Sequence, residues 1–270
     1  MSAQSTRAGV APPWGELRYG GELASLLARI ALRGSPRAGQ AQPVLLIPGF
    51  MAGDGSLAVL RRWLERRGHR VSMSGMRVNV DCAERIVGRL QTRLRALASE
   101  AGQPAFVIGQ SRGGALARCL AVRNPEAVCG LVMLGAPVRD PLAISAPVQR
   151  ALALLARLGD LGAPGMFSSS CRDGECCAEV RHDMLAPLSS HIRAVAVYSR
   201  SDGVVDWRAC LDPHAEAVEV RSSHCGMSVH GQVYELLERV LDGERARRAS
   251  RSRARQPRAR PRRSSAEAIG

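Results

Sequence analysis

Apolar positions along the chain alternate between two rhythms. Short continuous apolar runs at Pro43–Ile47, Ala105–Ile108, Val128–Leu134 and Arg193–Tyr198 have the length and composition of strands buried on both faces. Between them, apolar residues recur every three or four positions. Leu23, Leu26, Leu27 and Ile30 do so within 21–33, and Ile86, Val87, Leu90, Leu94 and Leu97 within 82–99. This spacing predicts amphipathic helices there, with further helices over 57–67 and 231–241. Strands are also expected at His69–Met73 and Ala215–Val220. Strand and helix in alternation predict an α/β fold, a doubly wound and mostly parallel sheet joined by right-handed crossovers.

Residues 138–192 break the alternation. A helix is predicted over 146–158, followed by Gly, Pro, Ser and clustered Cys without strong periodicity. A plain connector of this length would be unusual, so the segment is read as a cap-like insertion over the strand ends. The expected organisation is a lead-in and helix over 1–42, an α/β domain over 43–242, and a disordered Arg-rich tail over 243–270, too biased in composition to build a core. Within the lead-in, Trp14, Leu17 and Tyr19 are the residues expected to dock on the domain.

The formal charge of +14 would suggest a nucleic-acid partner if it were spread over the fold. Ten arginines against Glu244 and Glu267 fall in the tail, which therefore holds more than half the excess. All basic residues are arginine, a compositional bias that does not by itself indicate bidentate recognition. The tail lacks interleaved aromatic residues, so any binding to nucleic acid or an anionic surface would be non-specific phosphate contact; a solvated extension is the alternative. The N-terminus shows no apolar signal core, and no segment approaches the roughly 18 uninterrupted apolar residues of a membrane span. A cytoplasmic protein without a transmembrane segment is expected.

Candidate chemistry concentrates at strand ends. Gly109-Gln110-Ser111-Arg112-Gly113 follows a predicted strand and opens a predicted helix, the context of a G-x-S-x-G nucleophile elbow. Asp202 follows the Arg193–Tyr198 strand and His224 follows the last strand, giving the order Ser, Asp, His. In these roles Ser111 is the nucleophile, His224 its base and Asp202 the carboxylate that orients the imidazole. Asp206 is a rival acid, and His214, before the last strand, and His230, at the opening of the final helix, are rival histidines. The glycine-rich loop Pro48–Ser56 offers a backbone N–H from Phe50, alternatively Met51, to pair with that of Arg112 as an oxyanion hole. A phosphate loop is disfavoured there, because neither Gly-Lys-Ser/Thr nor G-x-G-x-x-G is present.

Ile47-Pro48-Gly49-Phe50, Gly109-Gln110-Ser111-Arg112-Gly113-Gly114, Tyr198-Ser199-Arg200-Ser201-Asp202-Gly203-Val204-Val205 and Ser223-His224-Cys225-Gly226-Met227 together resemble the α/β-hydrolase-fold esterases and lipases of bacteria, over about 43–241. Pro48-Gly49 stands where many relatives have His-Gly. The resemblance implies an α/β-hydrolase fold, a small-molecule acyl ester as substrate, and hydrolysis without metal or cofactor. Acyl transfer to another acceptor and thioester cleavage use the same triad and stay open, as does a non-catalytic protein that binds through its tail.

Eight cysteines complete the inventory. Cys82, Cys119 and Cys129 fall in helix or strand patterns and read as small buried hydrophobes. Cys171, Cys176 and Cys177 form a loop cluster in which a disulfide, or metal binding completed by His182, is conceivable although no C-x-x-C pair is present. Cys210 and Cys225 flank the last strand, as a bridge or as free thiols.

Overall fold

The computed structural model describes residues 10–32 and 41–255. Six strands form one open, all-parallel sheet in the order β2-β1-β3-β4-β5-β6. They are β1 (Pro43–Ile47), β2 (Arg70–Met73), β3 (Ala105–Gln110), β4 (Val128–Leu134), β5 (Arg193–Tyr198) and β6 (Glu216–Glu219). The helices are α1 (Tyr19–Leu32), α2 (Ala58–Arg66), α3 (Ala83–Ala101), α4 (Arg112–Arg123), α5 (Ala146–Asp160), α6 (Ser169–Asp173), α7 (Ala178–Asp183) and α8 (Gly231–Arg255). The four continuous apolar runs are the four central strands, whose two faces are both covered. The edge strands β2 and β6 carry the polar residues, which suits an edge that must not pair with another chain.

Side chains alternate across the sheet and divide the core in two. Leu45, Ile47, Val107, Leu131 and Met133 pack beneath α3 and α4 through Leu90, Leu94, Leu116 and Leu120. Val44, Leu46, Phe106, Ile108, Val132 and Val197 pack on the other face against Leu26 of α1, Leu60 and Leu64 of α2, and Val233, Leu237 and Val240 of α8. Each fully buried Leu or Ile contributes about 2 kcal/mol of transfer free energy. The chain leaves β1 toward β2, then crosses back over β1 to β3, and the covering helix changes face with the change of direction. The crevice beyond the C-terminal ends of β1 and β3 is thus a topological switch point, where open α/β sheets bind ligands.

Several expectations change. Trp14 and Leu17 do not dock but lie on the surface, while Tyr19 reaches the wall of the cavity described below. The helix expected to stop at 241 continues to Arg255, past the boundary drawn at 243. Nothing between Gly243 and Arg255 breaks a helix: Arg and Ala favour it, a single interior Gly costs about 1 kcal/mol, and the first proline is Pro257. Residues 256–270 lie outside the described residues. Among the described residues, no helix is long and apolar enough to cross a membrane.

Candidate active site

Ser111 stands between β3 and α4 with φ 53° and ψ −125°. Only Met51 shares positive φ among the described non-glycine residues. Such a conformation costs of order 1–3 kcal/mol and persists only where the surroundings impose it. Here they do: the Ser111 N–H donates to Leu134 O at 2.7 Å, and the chain turns so sharply that a Cβ at Gly109 would overlap the Gly113 carbonyl. A Cβ at Gly113 would overlap the carbonyls of Ile47 and Pro48, so the elbow is pressed directly against the end of β1. The serine is thereby raised at the switch point.

His224 and Asp202 come together from the loops after β6 and β5. His224 Nδ1 lies 2.6 Å from Asp202 Oδ2, and both residues are buried. Asp202 Oδ1 accepts the N–H groups of Val204 and Val205 at 2.8 and 2.7 Å, so the carboxylate is fixed and its second oxygen is left for the imidazole. Burial pushes the His224 pKa down, but the charge and hydrogen bond of Asp202, with the charge of Glu16, outweigh it and leave the pKa raised above 6.5. Gly135 makes room for the ring, since a Cβ there would approach Nδ1 to 3.1 Å. The rival acid Asp206 caps a short turn instead, accepting the Arg208 N–H at 2.9 Å.

Ser111, His224, Phe50, Met51 and Arg112 all line one cavity of about 890 Å³. Most of its wall is apolar, and about half of the lining residues come from the 138–192 insertion, including Val148 and Leu152 of α5, Phe167, and Val180 of α7. The Met51 N–H is engaged, donating to Asn79 O at 3.2 Å, whereas the Phe50 N–H has no partner among the described residues. Arg112 opens α4, where the first N–H groups have no intrahelical partner. Its side chain donates to Asn79 Oδ1 at 2.7 Å and to Asp81 O at 2.6 Å, and Asn79 Nδ2 donates to Pro48 O at 2.8 Å. This chain of bonds ties the loop after β1 to the elbow. Burial lowers the Arg112 pKa to about 10, which still leaves it charged at neutral pH.

A family model described as serine aminopeptidase, S33, matches residues 62–207. The chain belongs to this α/β-hydrolase family. Solved structures share the fold at low identity. One of the metagenome-derived lipolytic enzymes LipS and LipT is 21% identical, with 78% of this chain and 96% of that one covered and a TM-score of 0.56. The lipase BlEst2 of Bacillus licheniformis is 12% identical, over 77% and 96%, with a TM-score of 0.57. A soluble variant of monoglyceride lipase from Saccharomyces cerevisiae is 15% identical, over 78% and 89%, also at 0.57. No curated protein sequence matches significantly.

Three features of this hydrolase escaped sequence reasoning. The lead-in reaches the site through carboxylates: Glu16 Oε1 accepts the N–H groups of Gly203 and His224, its Oε2 accepts that of Cys225, and Glu22 accepts the N–H and hydroxyl of Ser223. Gln110, the variable residue before the nucleophile, donates to His224 O at 3.1 Å and links the elbow to the histidine loop. Arg118 of α4 is fully buried, bonded to Asp212 at 2.5 Å and to the carbonyls of Asp183 and Ala186, which fastens the end of the insertion to the core.

The cysteines depart from expectation in part. Cys210 and Cys225 are free thiols, the reading favoured over a bridge, one buried and the other exposed. Cys82 is not merely a hydrophobe: its Sγ faces Cys176 and Cys177. His182 is exposed and its nearest charged partner is Asp183, so it does not complete the cluster; Cys82 does.

Proposed function

We propose that the protein is a serine hydrolase that cleaves carboxylic esters through an acyl-enzyme. The observation that carries this reading is the 2.6 Å contact between His224 Nδ1 and Asp202 Oδ2 on the wall of the cavity that Ser111 also lines. With Nδ1–H given to Asp202, Nε2 is the ring's acceptor. Ser111 Oγ attacks the carbonyl carbon as its proton passes to Nε2, and Asp202 stabilises the imidazolium that results. The tetrahedral oxyanion is held by the N–H groups of Phe50 and Arg112, each worth on the order of 3 kcal/mol. The free Phe50 N–H and the engaged Met51 N–H support Phe50 over its alternative. Collapse of the intermediate expels the alcohol, which takes the proton from His224 and leaves the acyl group on Ser111. Water then attacks by the same route in reverse roles and releases the acid.

The cavity wall favours an uncharged acyl group over a peptide N-terminus. An aminopeptidase must hold an α-ammonium, yet Arg112, Arg172 and Arg181 line the cavity against a single carboxylate, Asp140. An apolar cavity of this size lies within the range of small-ligand sites. The test is a panel of p-nitrophenyl esters of increasing chain length, run beside an aminoacyl p-nitroanilide, on the native protein and on Ser111→Ala. Ester cleavage that Ser111→Ala abolishes supports the reading; cleavage of the anilide alone overturns it.

A further inference from the structure

We propose that Cys82, Cys171, Cys176 and Cys177 form a tetrathiolate site that binds one zinc ion and clamps the cavity's cap to the body of the fold. The proposal stands whether or not the protein cleaves esters.

All four Sγ atoms lie within 4.8 Å of one another. Cys82 is 3.5 Å from Cys176 and 3.6 Å from Cys177, and Cys171 is 3.5 Å from Cys176. In a tetrahedron with Zn–S bonds of about 2.3 Å, sulfurs stand about 3.8 Å apart, so the gap between these four atoms is the size such an ion needs. Disulfide pairing accounts for the arrangement less well. A bridge gathers two sulfurs, whereas here four converge, and Cys176 is equidistant from Cys82 and Cys171 with no pair singled out. The lone Cys82 and the Cys171, Cys176, Cys177 group come from segments far apart in sequence, which is why no C-x-x-C spacing announces the site.

Electrostatics around the cluster point the same way. Four thiolates on Zn²⁺ carry a net charge of −2, reached by release of four thiol protons as the ion binds. Two guanidinium groups stand near the cluster, that of Arg85, which pairs with the Asp81 carboxylate, and that of Arg112. Arg112 bonds only to uncharged oxygens, the carbonyls of Asn79 and Asp81 and the amide of Asn79, so a thiolate cluster adds to the nearby Asp81 carboxylate a negative charge that its hydrogen bonds do not supply. The softness of four sulfurs selects zinc over magnesium or calcium.

Placement gives the site its role. Cys82 immediately precedes α3 on the body of the fold, while Cys171 lies on α6 and Cys176 and Cys177 lie on the turn before α7, both in the insertion. Cys171 and Cys177 also line the cavity. With all four positions taken by protein, the ion has no open site for water or substrate and acts as a structural tie.

The full-length protein, prepared without chelator, is expected to contain about one zinc per chain by mass spectrometric metal analysis. Replacement by Co²⁺ should give thiolate-to-metal charge-transfer absorption and the visible bands of a tetrahedral ion. Cys82→Ser and Cys176→Ser should each lose the metal, and Cys129→Ser should keep it. Because a variant without the clamp can misfold, chelator added to the native protein provides a second reading: it should lower Tm and raise the number of thiols that react without denaturant. A native protein that holds no metal and takes up neither Zn²⁺ nor Co²⁺ after reduction overturns the proposal, as does an intact mass short of two hydrogens for each pair in this cluster.

Discussion

Glu16 accepts the backbone N–H of His224 at 2.9 Å, although 208 positions separate the two residues. The same carboxylate accepts the N–H of Gly203, beside Asp202, and that of Cys225. One side chain of the lead-in thus holds the loops of both His224 and Asp202, and its charge adds to the forces that raise the His224 pKa. Glu16→Gln keeps an acceptor but removes the charge. It is expected to shift the acid limb of the kcat/KM profile to lower pH and to reduce kcat/KM by on the order of tenfold, equivalent to about 1.4 kcal/mol. An unchanged profile with a lowered melting temperature would assign Glu16 a purely structural part.

The raised pKa of His224 sets the pH dependence. Catalysis needs the neutral imidazole, so kcat/KM should fall as pH drops through an apparent pKa above 6.5. Stability follows the opposite sense: the imidazolium paired with Asp202 stabilises the fold fully below pH 6.5, and that contribution is lost as pH rises through the folded pKa. Steady-state profiles beside thermal melts across the same range check both directions.

Asp202→Asn should leave the fold intact and lower kcat by about 10⁴, because an amide no longer stabilises the imidazolium or enforces the Nδ1–H tautomer. Asp206→Asn should change kcat little, since Asp206 only caps a short turn. Equal losses in the two variants would reject Asp202 as the orienting acid.

Leu152 of α5 lines the cavity wall. Leu152→Trp is expected to spare short-chain esters and to lower kcat/KM progressively as the acyl chain lengthens. Loss that is uniform across the ester panel would remove α5 from the acyl path.

Arg118 and Asp212 form an ion pair without solvent exposure on either side chain. Arg118→Ala leaves Asp212 buried without its partner and should destabilise the protein by about 3–5 kcal/mol in urea unfolding. The double change Arg118→Met, Asp212→Leu should recover part of that loss.

Much of the framework was legible along the chain. β1, β4 and β5 fall where their apolar runs begin and end, since a strand buried on both faces must be apolar at every position. The elbow was legible for another local reason: Gly109 and Gly113 lie where the backbone leaves no space for a Cβ. The insertion was visible mainly as a break in rhythm, because its short helices α6 and α7, of five and six residues, are too brief to show a helical period. The helix past 241 was missed because Arg-rich composition was weighed over the helix propensity of Arg and Ala.

The sequence alone determined the parallel α/β sheet, the strand-end positions of Ser111, Asp202 and His224, and the presence of a cap, because period, turn chemistry and glycine requirements act over a few residues. Tertiary structure decided that His224 meets Asp202 rather than Asp206, that Glu16 and Gln110 hold the histidine loop, and that Cys82 joins three cysteines of the cap. Those contacts join residues with no periodic or local relation, so only the folded path of the chain, which carries distant loops to one end of the sheet, brings them within bonding distance.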